Sequence, residues 1–342
     1  MATSSQPVIL GIESSCDDTS AAVLRGTRLL SSVIASQKVH ELWGGVVPEL
    51  ASRAHQQNIV PVVDAAIKQA KISKEDVTAI AFTRGPGLMG SLLVGTSFAK
   101  SMALALKVPL IEVNHMQGHI LANFVDDGRD TVPPRFPFLC LTVSGGHTQI
   151  VRVDGYLSQE VIGQTIDDAA GEAFDKVGKM LSLPYPAGPH IDRLARQGDR
   201  KAFVFARPEP GGLDFSFSGL KTSVMYFLQK QEKESPDFVR DRLADLCASV
   251  QGTIVDILVD KLMRAVKQTG IREVAIAGGV SANSGLRDAL TLAAGQRGLT
   301  LHLPELRFTT DNAAMIAVAG YFKYLEGRFA DVSAAASARY SL

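Results

Sequence analysis

The chain has 342 residues, of which 46% are hydrophobic and 20% charged, and Lys plus Arg equals Asp plus Glu at 35 each. This length exceeds the roughly 250 to 300 residues at which one hydrophobic core stops growing, so two lobes are expected. The balanced charge excludes a bulk positive field that would attract nucleic acid nonspecifically, so RNA binding would need a local patch or a partner.

The N-terminal residues and the cysteines predict a cytoplasmic location. The start MATSSQPVILGIESS lacks a basic region, and its apolar run VILGI is shorter than the roughly 7 to 15 residues of a signal-peptide core. No export signal is therefore expected. The three cysteines have the spacing of neither a zinc cluster nor a disulfide framework, which favours a reducing compartment. They are Cys16, Cys140 and Cys247.

The first predicted element is a hairpin. Strand-like residues 8–13 (VILGIE) enter the polar turn SSCDDTS and leave as AAVL. At its tip, Asp17 and Asp18 offer carboxylates that would hold a cation or orient water near phosphates, although charged hairpin tips are more often simply solvated. A helix is predicted to follow over 57–70 (QNIVPVVDAAIKQA).

Residues 77–92 (VTAIAFTRGPGLMGSL) predict a buried strand, a glycine-rich turn and a helix. The turn also matches the G-x-G-x-x-G pattern of dinucleotide-binding folds, with Glu112 about 20 residues on. We discount that interpretation because Pro86 removes an N–H where a pyrophosphate would be bound. The glycines concerned are Gly85, Gly87 and Gly90. The apolar tract that follows is interrupted by Lys100 and Lys107, and it predicts a helix and then a strand, not a membrane span.

Two histidines one helical turn apart are candidate metal ligands. As a helix, NHMQGHILANF (114–124) places His115 and His119 on one face, although such pairs also occur on exposed faces without a metal. Asp311 in FTTDNAAMIAVAGYF offers a third ligand, and its alternative role is the N-cap of the helix that follows. A metallopeptidase of the HExxH type is excluded because Met116 stands where that chemistry needs a glutamate.

The second half of the chain repeats the plan of the first. Residues 138–143 (FLCLTV) and QIVRV flank the turn SGGHT as a second hairpin. A helix is predicted over about 242–267, and residues 272–287 (REVAIAGGVSANSGLR) again indicate a strand, a turn and a helix. In the helix predicted over about 242–267, the apolar residues recur with a helical period. They are Leu243, Leu246, Val250, Ile254, Ile257, Leu258 and Leu262. A duplicated α/β unit predicts an actin-like, two-lobed fold with a nucleotide cleft between the lobes.

We expect the first lobe to comprise residues 1–130 plus 309–342 and the second to comprise 131–308. The second lobe carries an insertion over about 156–240, which is too long for a mere connection and is therefore expected to be functional. A local basic excess within it is the candidate RNA-phosphate contact. The alternative, a helix face balanced by Asp192 and Asp199, is equally plausible. The basic residues are Arg193, Arg196, Arg200, Lys201 and Arg207.

Two turns of the second half are candidate nucleotide contacts. In TVSGGHT, the run Ser144, Gly145, Gly146 would present N–H groups and a hydroxyl to phosphate oxygens, and a tight hairpin is the plain alternative. In AGGVSAN, Asn283 would hydrogen-bond a purine or ribose, although small residues also occur where a helix meets a strand. The insertion adds polar groups that would bind a substrate or form a solvated face. These are Asp167, Asp168, Glu172, Asp175 and Asp192, and Gly188 gives a backbone turn.

Ten motifs, in order from about Ile9 to Ala319, resemble the bacterial TsaD family of tRNA threonylcarbamoyladenosine synthases. They are GIESSCDDT, GGVVPELASR, RGPGLMGSL, NHMQGH, TVSGGHTQ, IDDAAGEAFDKV, YPAGP, DFSFSGLKT, AGGVSAN and TDNAAMIA. The resemblance implies one divalent metal per subunit at His115, His119 and Asp311, with Fe²⁺ as the first choice and Zn²⁺ as the second. It implies a substrate site lined by Thr142, Val143, Ser144, Gly145, Gly146, Asp175, Gly188, Asp192 and Asn283. This chain departs from many relatives in CDDT, where they read CDET, so Asp18 is a shorter acid with less reach.

The resemblance also implies a reaction and partners. The reaction moves a threonylcarbamoyl group from threonylcarbamoyl-AMP to the exocyclic amine of the adenosine 3′ of the anticodon, in tRNAs reading ANN codons, and releases AMP. The partners would be tRNA, a paralogous actin-like subunit (TsaB-like) and a small ATPase (TsaE-like), with no membrane. An ATP-dependent kinase or small-molecule carbamoyltransferase of the actin-like superfamily is the alternative. The histidine pair counts against a kinase, because kinases of this plan hold metal mainly through carboxylates and phosphates.

Overall fold

The computed structural model describes residues 6–342 and contains two compact units. Unit 1 comprises Met1–Pro133, Gly155–Ser158 and Glu305–Leu342, and unit 2 comprises Pro134–Asp154 and Gln159–Pro304. The two lobes expected from the sequence, 1–130 plus 309–342 and 131–308, stay a prediction. Residues 1–5, at the start of the segment where no export signal is expected, lie outside the described residues.

Unit 1 contains a five-stranded mixed sheet in the order β3-β2-β1-β4-β5. Its strands are β1 (Val8–Glu13), β2 (Asp18–Arg25), β3 (Arg28–Ser36), β4 (Ala79–Gly85) and β5 (Leu110–Asn114). Its helices are α1 (Pro48–Gln69), α2 (Met89–Leu106), α3 (His115–Leu121) and α10 (Ala313–Leu325). The first predicted hairpin is confirmed, since β1 and β2 pair antiparallel with Glu13 opposite Ser20.

Unit 2 repeats this topology. Its sheet has the order β10-β9-β6-β7-β8, which is the same arrangement of first to fifth strand as in unit 1. The strands are β6 (Phe138–Val143), β7 (Thr148–Gly155), β8 (Ser158–Gln164), β9 (Glu273–Ala277) and β10 (Thr300–His302). The helices are α4 (Ala170–Met180), α5 (Ala187–Ala195), α6 (Ser218–Glu234), α7 (Phe238–Asp241), α8 (Leu243–Thr269) and α9 (Ser284–Arg297). The duplication predicted from the sequence is confirmed.

Helices cover both faces of β1, which explains why every residue of this strand is buried. The apolar side chains Leu10 and Ile12 pack in a core with residues of α1 and α2. On the other face, α10 approaches so closely that a Cβ on Gly11 would lie 2.4 Å from the carbonyl oxygen of Ala313. Glycine at this position therefore permits helix and sheet to meet at backbone distance.

The predicted insertion is part of the unit 2 core. Four phenylalanines between residues 156 and 240 are buried with β6 and α8. They are Phe174, Phe205, Phe215 and Phe217. The insertion therefore shapes the unit as well as carrying the polar residues singled out from the sequence.

The apolar tract at residues 91–111 forms α2 followed by β5, as predicted. By length and composition α2 resembles a membrane-crossing helix, with a mean hydropathy of 1.3. A core helix of a soluble protein passes the same test, and α2 packs against α1 and β4. The length and composition of α2 are thus weak evidence for a membrane span.

Candidate metal centre and nucleotide-binding turns

The two histidines of the metal motif lie on α3, which begins directly at the end of β5. Asn114 is the N-cap of this helix, and its side-chain oxygen accepts hydrogen bonds from the backbone N–H groups of Met116 and Gln117. His115 and His119 are both buried, and their Nε2 atoms lie 3.1 Å apart. The helical spacing thus brings both rings to one point, as the sequence predicts.

Asp311 faces the same point. Its Oδ1 lies 3.3 Å from Nε2 of His115 and 3.3 Å from Nε2 of His119. The alternative role as an N-cap is wrong, because Asn312 caps α10 by accepting a hydrogen bond from the N–H of Met315. The carboxylate of Asp311 is therefore available to the histidines.

The spacing of the three ligand atoms fits a single divalent ion. Zn²⁺ binds imidazole nitrogen at about 2.0–2.1 Å, which puts neighbouring ligand atoms of a tetrahedral site about 3.3 Å apart. The observed separations are 3.1, 3.3 and 3.3 Å. Two histidines and one carboxylate with open positions are also the donor set of non-haem Fe(II) sites. In geometry and chemistry, then, the residues suit either metal.

A buried carboxylate, Glu13, lies behind His115. Its Oε2 is 3.1 Å from Nδ1 of His115 and accepts a 2.6 Å hydrogen bond from the hydroxyl of Thr83. Burial by itself would raise the pKa of Glu13, but the charge and hydrogen bond of His115 outweigh it and lower that pKa. Burial likewise opposes the protonation of His115, yet Asp311 and Glu13 hold its pKa well above the ordinary value. This second carboxylate was missed by sequence reasoning.

The two histidines differ in their surroundings. Burial lowers the pKa of His119, and hydrogen bonding to Asp311 only partly offsets this effect. Within residues 6–342, Nδ1 of His119 is buried without a hydrogen-bond partner. Of the two histidines, His115 is therefore the one whose ring orientation is fixed by a contact at Nδ1, with Glu13.

Asp17 and Asp18 lie where the unit 1 hairpin turns into β2. Burial raises the pKa of Asp18 to about 6, and the charges of Asp17, Asp311 and Glu13 add to this effect while a hydrogen bond from Ser36 opposes it. A carboxylate held in this way is not simply solvated. Its contact with a cation or phosphate stays a prediction.

Replacing Asp18 by asparagine is expected to stabilise the protein at pH 7.5 by about 1–3 kcal/mol, since each unit of pKa shift corresponds to about 1.4 kcal/mol. The raised pKa in the folded state means that ionisation destabilises the fold as pH rises from about 4 to about 6. The advantage of Asp18→Asn should therefore narrow at pH 4.5. Urea unfolding at both pH values measures it, and an equal free energy of unfolding for both proteins at pH 7.5 would contradict it.

In unit 2, the turn after β6 is open where the phosphate-binding prediction needs it to be. Gly145 and Gly146 are exposed, and a Cβ built on either meets nothing within 4 Å among the described residues. By contrast, a Cβ on Gly171 would lie 2.5 Å from the Ser144 carbonyl oxygen, and one on Gly278 would lie 2.4 Å from that of Val143. The last two glycines allow α4 and the AGGVSAN turn to reach the end of β6, which sequence reasoning did not identify.

The other predicted substrate residues of unit 2 connect neighbouring helices. Asp175 accepts hydrogen bonds from the N–H groups of Ala187 and Gly188 at the start of α5. Asp192 accepts from the N–H and hydroxyl of Ser284 at the start of α9. Burial raises the pKa of Asp175 despite its two hydrogen bonds. Asp175 of α4 thus binds the N-terminus of α5, and Asp192 of α5 binds the N-terminus of α9.

Three further predicted residues have side chains engaged within the protein. Thr142 and Val143 are fully buried, so neither residue presents a surface to a ligand. Asn283 caps α9 through its side-chain oxygen and donates a 2.7 Å hydrogen bond to Gln251. Substrate binding by these residues stays a prediction.

The glycine-rich RGPG turn of unit 1 packs against the C-terminal segment. A Cβ on Gly85 would lie 1.9 Å from the Ser337 carbonyl oxygen, and the guanidinium of Arg84 binds both oxygens of Glu112 at 2.9 Å. The amide of Asn114 also donates to the carbonyl of Tyr340. Gly85 and Glu112 therefore make contacts within the protein.

Acidic residues pair with three of the five basic residues in the cluster of the insertion. Arg200 lies 2.8 Å from Asp256, and Arg207 pairs with Asp256 and Asp260. Arg196 is 3.6 Å from Asp192. Acids of α8 thus pair with two of the five basic residues and Asp192 pairs with a third, which favours the balanced face over an RNA contact.

A family model described as "TsaD: tRNA N6-adenosine threonylcarbamoyltransferase" matches residues 28–318. The chain belongs to the TsaD family. Two relatives that carry the name tRNA N6-adenosine threonylcarbamoyltransferase are similar over nearly the full length. The TsaD protein of Christiangramia forsetii is 63% identical over 332 residues, which is 97% of each chain. That of Riemerella anatipestifer is 59% identical over 337 residues, which is 98% of each chain.

Solved structures similar to this TsaD-family chain confirm its actin-like fold. HypF from T. kodakarensis has a TM-score of 0.60 at 15% identity, covering 95% of this chain and 48% of HypF. ROK hexokinase from Thermus thermophilus has a TM-score of 0.50 at 16% identity, covering 94% of this chain and 99% of the hexokinase. At such identities the likeness shows the fold alone.

Proposed function

We propose that this TsaD-family protein transfers the threonylcarbamoyl group from threonylcarbamoyl-AMP to the exocyclic amine of adenosine 3′ of the anticodon in tRNAs reading ANN codons, and releases AMP. The observation that carries the proposal is the family match over residues 28–318, together with relatives of that name at 63% and 59% identity. No comparable similarity favours the kinase or small-molecule carbamoyltransferase alternative.

The proposed transfer requires mainly that the protein hold the two reactants in the correct relative position. AMP is a good leaving group, so the protein needs no covalent nucleophile and acts by orienting the reactants, excluding water and stabilising developing charge. The open turn at Gly145 and Gly146 gives the phosphate room to approach backbone N–H groups. Asp175 and Asp192 would orient polar parts of the substrate next to the helix N-termini with which they form hydrogen bonds.

We propose one divalent metal per subunit, held by His115, His119 and Asp311, with Fe²⁺ as the first choice and Zn²⁺ as the second. Support comes from the convergence of three ligand atoms at separations suited to one ion. When bound, such an ion supplies Lewis-acid polarisation of a carbonyl and positive charge for a phosphate.

The proposed partners are a TsaB-like actin-like subunit and a TsaE-like ATPase, acting in the cytoplasm. The neutral net charge supports a need for helpers in holding tRNA. The outer side of α2 offers an apolar surface for a protein partner, with exposed Met89, Leu93 and Leu104.

Reconstitution tests the proposed reaction. The full chain is incubated with TsaB-like and TsaE-like bacterial subunits, synthetic threonylcarbamoyl-AMP and unmodified tRNA, and nucleosides are analysed by mass spectrometry. We expect threonylcarbamoyladenosine and AMP in equal amounts. A tRNA with guanosine in place of the adenosine 3′ of the anticodon should remain unmodified, because guanosine lacks the N6 amine. Unmodified tRNA, together with carbamoyl or phosphoryl transfer to a small molecule in a parallel incubation supplied with ATP and carbamoyl phosphate, would favour the alternative.

A further inference from the structure

We infer that Glu13 is a positioning residue that fixes both the orientation and the tautomer of His115 as a metal ligand. This inference rests on the proposed metal site and deepens it. Glu13 ends a strand, β1, whose other residues are apolar or glycine, and its side chain is completely buried. A buried carboxylate lowers stability unless its partners compensate, so those partners indicate its role.

Both oxygens of Glu13 are held in place. Oε1 accepts a short hydrogen bond from the N–H of Ser15, and Oε2 accepts one from the hydroxyl of Thr83 at 2.6 Å. Oε2 is also 3.1 Å from Nδ1 of His115. The carboxylate therefore cannot rotate away from the imidazole without breaking other bonds.

This contact determines which nitrogen of His115 faces Glu13 and which nitrogen is left for a metal. An ionised carboxylate only accepts hydrogen bonds, so Nδ1 must be the donor. The hydroxyl of Ser15, also 3.1 Å from Nδ1, can then donate elsewhere or accept. Nε2, which faces Asp311 and His119, is then the nitrogen that a metal would bind in place of a proton. A carboxylate behind a ligating histidine in this way orients the ring and raises its basicity.

His119 has no equivalent support, because its Nδ1 is buried and unpartnered within residues 6–342. The preorganisation of the site therefore depends on the Glu13–His115 pair. Loss of the carboxylate should weaken metal binding about 10- to 100-fold, the range typical of such outer partners.

The test uses the full chain stripped of metal and titrated with Zn²⁺ against a chromophoric chelator. Glu13→Gln keeps the shape of the side chain but presents an amide to Nδ1, and a 10- to 100-fold higher Kd is expected. Thr83→Val frees one oxygen of Glu13 while leaving its charge, and a smaller increase is expected. The matched control is Glu273→Gln, which alters a similar carboxylate–histidine pair, 2.8 Å from His302 in unit 2. This control should bind Zn²⁺ like the wild type.

The possible outcomes separate this inference from the proposed metal site. Wild type should bind one Zn²⁺, and His115→Ala should not bind it. If wild type binds none, or if His115→Ala still binds the ion, the proposed metal site itself is wrong. If wild type binds and both Glu13→Gln and Thr83→Val match its Kd, the role of Glu13 is overturned. Should Glu13→Gln not fold, the Co²⁺-substituted Thr83→Val protein decides by NMR. Faster solvent exchange of the His115 Nδ1 proton than in wild type supports the inference, and unchanged exchange refutes it.

Discussion

Replacing His119 by alanine is expected to abolish stoichiometric metal binding and to lower tRNA modification about 100- to 1000-fold. The change removes one of three converging ligand atoms and leaves His115 and Asp311 to hold the ion alone. Lewis-acid stabilisation is worth several kcal/mol, and each 1.36 kcal/mol corresponds to a tenfold change in rate. Metal content and modified nucleosides are measured on the same preparations.

The control for this change is His302→Gln, which replaces a histidine paired with Glu273 in unit 2. It should keep both metal and activity. Full transfer by metal-free His119→Ala would show that the metal proposal is wrong, while leaving the transferase activity in place.

Replacing Gly11 by valine is expected to destabilise the protein by about 3 kcal/mol or more, or to prevent folding. The first added carbon would lie 2.4 Å from the carbonyl oxygen of Ala313 and 2.8 Å from Cβ of Ala317. Neither atom can rotate away, so α10 would have to move off the sheet, and overpacking of this kind typically costs 1–3 kcal/mol or more. Urea unfolding followed by circular dichroism measures the loss.

The matched control for Gly11 is Gly295→Ala in α9. A Cβ at Gly295 meets nothing within 4 Å among the described residues, and alanine favours helices over glycine by about 0.5–1 kcal/mol. Its free energy of unfolding should stay the same or rise. A Gly11→Val protein as stable as wild type would show that α10 does not pack on β1 at backbone distance.

Most of the fold follows from local patterns in the sequence. Both hairpins, both strand–turn–helix segments and α8 have the periodicity and turn residues of their structures, and repetition of the pattern predicts the duplicated topology. The incorporation of the insertion into the unit 2 core did not follow. Phe215 and Phe217 lie in a segment without a repeating period, and their burial depends on distant α4 and α8.

The candidate metal site was partly predictable. The spacing of His115 and His119 indicates a shared face directly, because both lie on one helix. Asp311 and Asn312 are both good N-cap residues, so local sequence cannot decide which one caps α10 and which one faces the histidines. Only the path of the chain settles this choice. Glu13 carried a signal that was overlooked, namely one carboxylate at the end of an otherwise apolar strand.

The discontinuity of unit 1 has a consequence for biosynthesis. A ribosome completes β1 to β5 and α3 early, but α10 and Asp311 follow only after the whole of unit 2 has been translated. Until then the nascent sheet lacks the helix that covers one face, and Gly11 and Ala81 remain without their partners on α10. The two histidines would likewise wait for their carboxylate. Loading of the proposed metal would therefore follow synthesis of unit 2, the segment that separates the two histidines from Asp311 in the chain.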